Sequence, residues 1–116
     1  AKVRRLPATF TTTERTFMLQ YWGYACAICG RQEGLLGWRL ADDHVIPISS
    51  SDCPGSIATN ILPLCHGIEG CNNSKSNKEM HAWLLERMSP WKTASIEKAI
   101  KTYFTIVQQR NTGHDA

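Results

Sequence analysis

The sequence predicts an α+β fold in which helices flank a loop-rich middle segment with two short strands. Three observations predict it. Helix-capping patterns precede amphipathic stretches near both ends of the chain, two short strand-like runs lie between them, and two pairs of cysteines accompany those runs. A chain of 116 residues has the usual size of one domain. We therefore predict a single domain over residues 1–116, with an N-terminal arm and helix (1–25), a core (26–77), C-terminal helices (78–110) and a tail (111–116).

The composition is that of an ordinary soluble domain, with 42% hydrophobic and 20% charged residues. No apolar run approaches the roughly 18 residues that a bilayer requires. The basic residues at the start are not followed by the apolar segment of a signal peptide. We therefore predict a cytoplasmic protein. The net charge of +3 does not by itself separate a nucleic-acid-binding protein from other basic domains.

The first helix is predicted over residues 11–22. Thr11 and Glu14 have the spacing of a capping box, in which each side chain bonds the backbone of the other residue. The apolar residues that follow share one helical face: Phe17, Met18, Tyr21 and Trp22. Gly23 marks the end of this helix.

The middle segment is rich in glycine, serine, asparagine, cysteine and proline. We predict strands over residues 38–46 and 61–64, joined by a loop with no periodic apolar pattern. Such a segment buries little hydrophobic surface, so its conformational entropy would not be offset without a covalent or metal staple.

The C-terminal part is predicted to be helical. Ser76 and Glu79 suggest a second capping box, and Pro90 breaks the helical pattern. Two apolar faces follow from the spacing, and we assign both to the core: Met80, Trp83, Leu84 and Met88 before the proline, and Ile96, Ala99, Ile100, Tyr103, Phe104 and Val107 after it. The final residues are predicted to fray.

Four cysteines have the spacing of a structural zinc site. Cys26 and Cys29 form a C-x2-C knuckle before Gly30, and Cys65 and Cys71 supply a second pair. Four thiolates close a tetrahedral site with no open position, which is typical of structural zinc.

Other interpretations of the cysteines remain open at this stage. Free buried thiols need no metal, and disulfides would form in an exported protein. A thioredoxin-like redox pair requires a βαβ context, which is missing from the sequence pattern. His66 could replace one thiolate, and Cys53 is left outside the site.

A second cluster combines a carboxylate, an imidazole and several amides. Asp43 precedes His44, Asn60 opens the second strand, and Asn72 and Asn73 follow Cys71 directly. A carboxylate is a suitable ligand for Mg2+ or Mn2+, and a neutral imidazole is the best side-chain base near pH 7. Each residue alone has an ordinary structural explanation in a turn or loop. Their order along the chain relative to the two cysteine pairs is what makes a catalytic interpretation specific.

The stretches CAICG, DHVIP, NILPLC and CNNSK resemble the zinc-knuckle HNH nucleases, which have a ββα-metal core of a short antiparallel hairpin and a helix. The resemblance covers residues 26–77. It implies that Asp43 and Asn72 ligate a catalytic divalent cation, that His44 is the general base, and that Asn60 holds the loop or the histidine. The second cysteine pair, CHGIEGC, is longer than the usual C-x2-C, which leaves Asn73 as an alternative ligand.

The activity implied by this resemblance is DNA hydrolysis with Mg2+ or Mn2+, leaving 3′-hydroxyl and 5′-phosphate ends, beside a structural Zn2+. The candidate phosphate contacts are Lys75, Lys78, Arg4 and Arg5, which would give affinity without sequence information. The C-terminal helices show no obvious surface for recognising DNA bases, so a protein partner could supply sequence specificity. The alternative from the residues alone is a zinc-ribbon module that binds nucleic acid or protein without chemistry.

Overall fold

The computed structural model describes residues 6–34, 38–67 and 69–112. For Thr112 only the backbone is described. Four helices and two strands are present in these ranges. They follow one another as α1 (Thr12–Tyr21), β1 (Arg39–His44), β2 (Ile61–His66), α2 (Cys71–Lys75), α3 (Met80–Arg87) and α4 (Pro90–Thr112), with a 3₁₀ turn over Ala58–Asn60 before β2. The predicted α+β class is confirmed at this level.

Helix α1 begins where the capping pattern predicts. The Thr11 hydroxyl accepts a hydrogen bond from the Glu14 backbone at 3.1 Å, and the Glu14 carboxylate accepts one from the Thr11 backbone at 2.9 Å. These reciprocal bonds satisfy two backbone donors that a helix start would otherwise leave unpaired. Met18 on the inner face is fully buried.

The two strands form an antiparallel pair, with Leu40 opposite Cys65 and Asp43 opposite Leu62. β1 is shorter than the predicted strand, and β2 runs two residues further, to His66. The connecting loop (residues 45–57) runs from the end of β1 to the 3₁₀ turn. This pairing places Asp43 and His44, at the end of β1, opposite the start of β2.

The predicted capping box from Ser76 to Glu79 is wrong. Ser76 ends α2 with a positive φ of 49°, and Glu79 is itself the N-cap of α3. Its carboxylate accepts hydrogen bonds from the backbone of His81 and Ala82. A negative charge at this position also complements the dipole at the helix start.

Pro90 separates α3 from α4, as predicted, and opens the second helix. A proline is tolerated at the first helical position because its missing N–H would have no partner there. α4 extends to Thr112, which places residues 111 and 112 of the predicted tail in the helix. Residues 113–116 lie outside the described part of the chain.

One hydrophobic core joins the helices to the sheet. Its most buried members include Met18, Leu62, Leu64, Trp83 and Tyr103. Ala99 is exposed, in contrast to the prediction, and the buried face of α4 is formed by Ile100, Tyr103 and Val107. Within the described residues, no helix has both the length and the apolar character needed to span a bilayer.

Candidate functional site

The four predicted cysteines converge on one point. The sulfur atoms of Cys26, Cys29, Cys65 and Cys71 all lie within 4.8 Å of one another. In a tetrahedral zinc site, sulfurs about 2.3 Å from the ion are about 3.8 Å apart. The 3.5 Å between the Cys29 and Cys65 sulfurs is close to that separation. The cluster can therefore hold a metal ion such as zinc.

Local backbone geometry prepares the cluster. The Ile28 amide donates to the Cys26 sulfur at 3.4 Å, and the Cys71 amide donates to the Cys65 sulfur at 3.2 Å. Gly30 adopts a φ of +79°, which a side chain would disfavour, and thereby closes the turn behind the knuckle. Amide donors of this kind stabilise thiolate charge around a bound cation.

Hydrogen bonding between the thiols shifts their pKa values in opposite directions. A hydrogen bond with the Cys71 thiol lowers the pKa of Cys26 to about 4. The same bond, together with burial, raises the pKa of Cys71, and burial raises the pKa of Cys29. Metal ligation requires thiolates, so the lowered pKa favours Cys26 as a ligand, and a cation that binds Cys29 and Cys71 would displace their protons.

Neither His66 nor Cys53 belongs to this cluster. Cys53 is buried in the connecting loop, where its sulfur accepts a hydrogen bond from the Gly55 amide. His66 is exposed, and its Nδ1 lies 3.4 Å from the Asn72 Oδ1. The described residues therefore favour the four-cysteine set over a set in which the histidine replaces a sulfur.

Asp43 and Asn72, the predicted ligands of a second cation, touch each other. The Asn72 side-chain amide donates to Asp43 Oδ1 at 3.0 Å, although the two residues lie on β1 and α2. Both line one cavity together with His44. Cys71 belongs to the cysteine cluster, and Asn72, the next residue of α2, lines this cavity.

Asn73 has a different environment from Asn72. Its Oδ1 accepts a hydrogen bond from the Gly67 backbone at 3.0 Å, which holds the turn between β2 and α2. The longer spacing between Cys65 and Cys71 is accommodated in this turn. Asn72 is thus the amide that faces Asp43, and Asn73 stabilises the turn.

His44 lies at the end of β1, beside Asp43. Its Nε2 is 2.9 Å from the Ser56 hydroxyl oxygen. A neutral imidazole that donates from Nε2 to this hydroxyl keeps the Nδ1 lone pair available as a base. Ser56 was not singled out in the sequence because it lies in the aperiodic connecting loop, with no spacing relation to His44.

Lys75 is buried, so the predicted phosphate contact does not fit its position. Its side chain is 1% exposed, and its Nζ lies 2.9 Å from Asp43 Oδ2. It also donates to the His44 carbonyl oxygen at 2.9 Å. An ammonium enclosed in this way is not presented to a DNA backbone on the surface, and we withdraw that assignment.

Asp43 is held in a largely buried environment. Burial raises the pKa of its carboxyl above the usual range, although Lys75 and Asn72 act in the opposite direction. Its Oδ2 is buried and lies 2.9 Å from the Lys75 Nζ. Lys75 therefore occupies this buried oxygen, and Oδ1 is the oxygen that contacts Asn72.

The remaining predicted phosphate contacts lie on the surface or outside the described chain. Lys78 is exposed and forms an ion pair with Glu86 at 3.0 Å. Exposed pairs of this kind contribute little energy, so the ammonium can exchange partners. Arg4 and Arg5 lie outside the described residues. These three contacts stay predictions.

Asn60 fixes the connecting loop at both ends. Its buried side chain accepts from the Ile46 amide at 2.9 Å and donates to the carbonyl oxygens of Ile46 and Gly55. These contacts are consistent with the predicted role of holding the loop. They also hold the segment that carries Ser56 against His44.

Asn60→Ala is expected to destabilise the protein by about 3 kcal/mol, because three buried or part-buried backbone groups would lose their partner. Urea unfolding of the zinc-loaded protein measures this change. Asn111→Ala, which removes an exposed amide from α4, is the matched control and should leave the midpoint unchanged. Equal unfolding midpoints for the Asn60 variant and the wild type would contradict the role of Asn60 in stabilising the connecting loop.

Comparison with known proteins gives no match. No protein-family model, curated protein or solved structure matches the chain. The functional interpretation therefore depends on the geometry of the site and on the sequence resemblance described above.

Proposed function

We propose that this protein is a metal-dependent DNA endonuclease of the HNH type, with a structural zinc in the cysteine cluster and one catalytic divalent cation. One observation carries the proposal: Asp43 and Asn72, from two different elements, meet beside His44 in a single cavity. This is the constellation that the sequence resemblance implies, and no local pattern requires these side chains to meet.

The chemistry of the donors fits two different cations. Four sulfur ligands favour zinc, whereas a carboxylate and an amide oxygen favour Mg2+ or Mn2+, with water and phosphate completing the coordination. The Asp43 carboxylate and the Asn72 side-chain amide are the protein groups that would hold the second cation. When bound, that cation would neutralise charge on the phosphate and on the departing 3′ oxygen.

The protein's own groups perform the proton transfer. His44 accepts a proton from the attacking water at Nδ1, while Ser56 fixes the ring by its contact with Nε2. Asn60 keeps the connecting loop, and with it Ser56, in place. Lys78, Arg4 and Arg5 would contact phosphates outside the cleaved bond, and a protein partner could supply sequence selectivity.

Supercoiled plasmid tests this function directly. The zinc-loaded protein should convert it to nicked or linear DNA with added Mg2+ or Mn2+ and not without them. Asp43→Asn should lower the rate by at least about 100-fold, because it removes the anionic ligand. Asp52→Asn is the matched control, since Asp52 is exposed in the connecting loop and does not line this cavity.

Two outcomes would contradict the proposal. Cleavage that is equal with and without a divalent cation would exclude the proposed mechanism. DNA binding without cleavage under any of these metal conditions would favour the alternative, a zinc-ribbon module without chemistry.

A further inference from the structure

Lys75 places its ammonium group inside the candidate site, where it pairs with Asp43. Its side chain is 1% exposed and reaches from α2 to β1, where its Nζ meets both the Asp43 carboxylate and the His44 carbonyl oxygen at 2.9 Å. Lysine is rarely buried to this extent unless it is paired. The two contacts join the residue proposed as cation ligand to the residue proposed as base.

The Asp43 carboxylate is shared between two neighbours of different chemistry. Asn72 contacts Oδ1 through a neutral amide, whereas Lys75 faces Oδ2 with a full positive charge. A divalent cation that binds Asp43 must therefore approach a carboxylate whose charge is already compensated. Like charges at such short range in a buried site repel each other strongly.

We infer that Lys75 is a positioning residue that acts as the resident cation of the Asp43 site. It compensates the carboxylate when the divalent cation is absent, keeps β1 and α2 in register through His44, and weakens the binding of the divalent cation so that it exchanges readily. This inference rests on the proposed function, because it assumes that Asp43 is a cation ligand.

Mn2+ binding to the zinc-loaded protein tests the inference without any cleavage assay. Lys75→Met removes the charge but retains the length and apolar stem of the side chain. We expect its Mn2+ affinity to rise at least about tenfold, because the repulsion between like charges is lost. Lys75→Arg keeps the charge and should stay near the wild-type affinity. Lys98→Met, which changes an exposed lysine of α4, is the surface control.

Thermal melting gives a second, independent measurement. Without Mn2+, Lys75→Met should melt at a lower temperature than the wild type, because Asp43 loses its buried partner. Added Mn2+ should then raise its melting temperature more than that of the wild type. The double variant Asp43→Asn/Lys75→Met should melt above Lys75→Met, since neither charge is left unpaired.

The outcomes distinguish a failure of this inference from a failure of the proposed function. If the wild type does not bind Mn2+, or if Asp43→Asn does not abolish that binding, the cation site is absent and both proposals are wrong. If the wild type binds Mn2+ and Lys75→Met binds it equally or more weakly, only the inference about Lys75 is overturned. If Lys75→Met fails to fold because Asp43 is left unpaired, Asp43→Asn/Lys75→Met should fold. Failure of this double variant to fold would overturn the charge-pairing role of Lys75.

Discussion

His44→Ala protein is expected to leave supercoiled plasmid uncut under conditions in which the wild type cleaves it with Mg2+ or Mn2+. The loss should reach about 10²–10⁴-fold in rate, which is the usual contribution of a positioned general base. The fold should persist, because the imidazole is only half-buried. Lys75 donates to the backbone carbonyl oxygen of His44, and alanine retains that oxygen. The measurement is the initial rate of nicking.

His81→Ala is the matched control for this variant. His81 forms an exposed pair with Glu97 at 2.7 Å on the C-terminal helices, and neither residue is among those that line the Asp43 cavity. It should cleave at the wild-type rate. Zinc content and melting temperature of both variants should equal those of the wild type. A His44→Ala protein that cleaves at nearly the wild-type rate would show that another group is the base.

Cys26→Ala should have the largest effect on folding. Cys26 is buried at the knuckle, and its loss leaves three sulfur ligands from three separate segments of the chain. Structural zinc sites contribute on the order of 10 kcal/mol of apparent binding free energy, which is comparable to the stability of an entire small domain. We expect the variant to lose its zinc and its cooperative melting transition, and with them DNA cleavage.

Cys53→Ala separates this effect from the loss of any buried thiol. Cys53 is equally buried but lies outside the cluster, so its variant should retain one zinc per chain and lose only about 1 kcal/mol of stability. Zinc is measured with a chromophoric chelator after denaturation, and melting by circular dichroism. A Cys26→Ala protein with wild-type zinc content and melting temperature would disprove the zinc role of the cluster.

The proposed link between the two sites has a simple physical basis. Cys71 and Asn72 are consecutive residues of α2, so whatever fixes the sulfur also fixes the backbone of the amide. A cation in the cluster would hold α2 against β2, and Lys75 at the other end of this short helix holds it against β1. Loss of zinc is thus expected to disorganise the Asp43 cavity even though no cysteine faces it.

Several features were fixed by the sequence alone because they depend on local chemistry. The capping pair Thr11 and Glu14 defines the start of α1, and Pro90 defines the start of α4. The spacing of the cysteines identified the four residues that converge, since a knuckle and its tight turn are encoded within a few neighbouring residues. The resemblance implied that Asp43 and Asn72 share a cation, and the structure shows a direct hydrogen bond between their side chains.

Other features were decided only by the tertiary structure. Ser56 and Lys75 contact His44 and Asp43 across the fold, and sequence spacing does not determine which residues of a loop or short helix face one another across a sheet. For the same reason Lys75 resembled a surface phosphate ligand until its burial was known. Ala99 fitted the apolar stripe of α4 but lies outside its buried face, because the packing of that helix on the sheet selects which part of the stripe is covered.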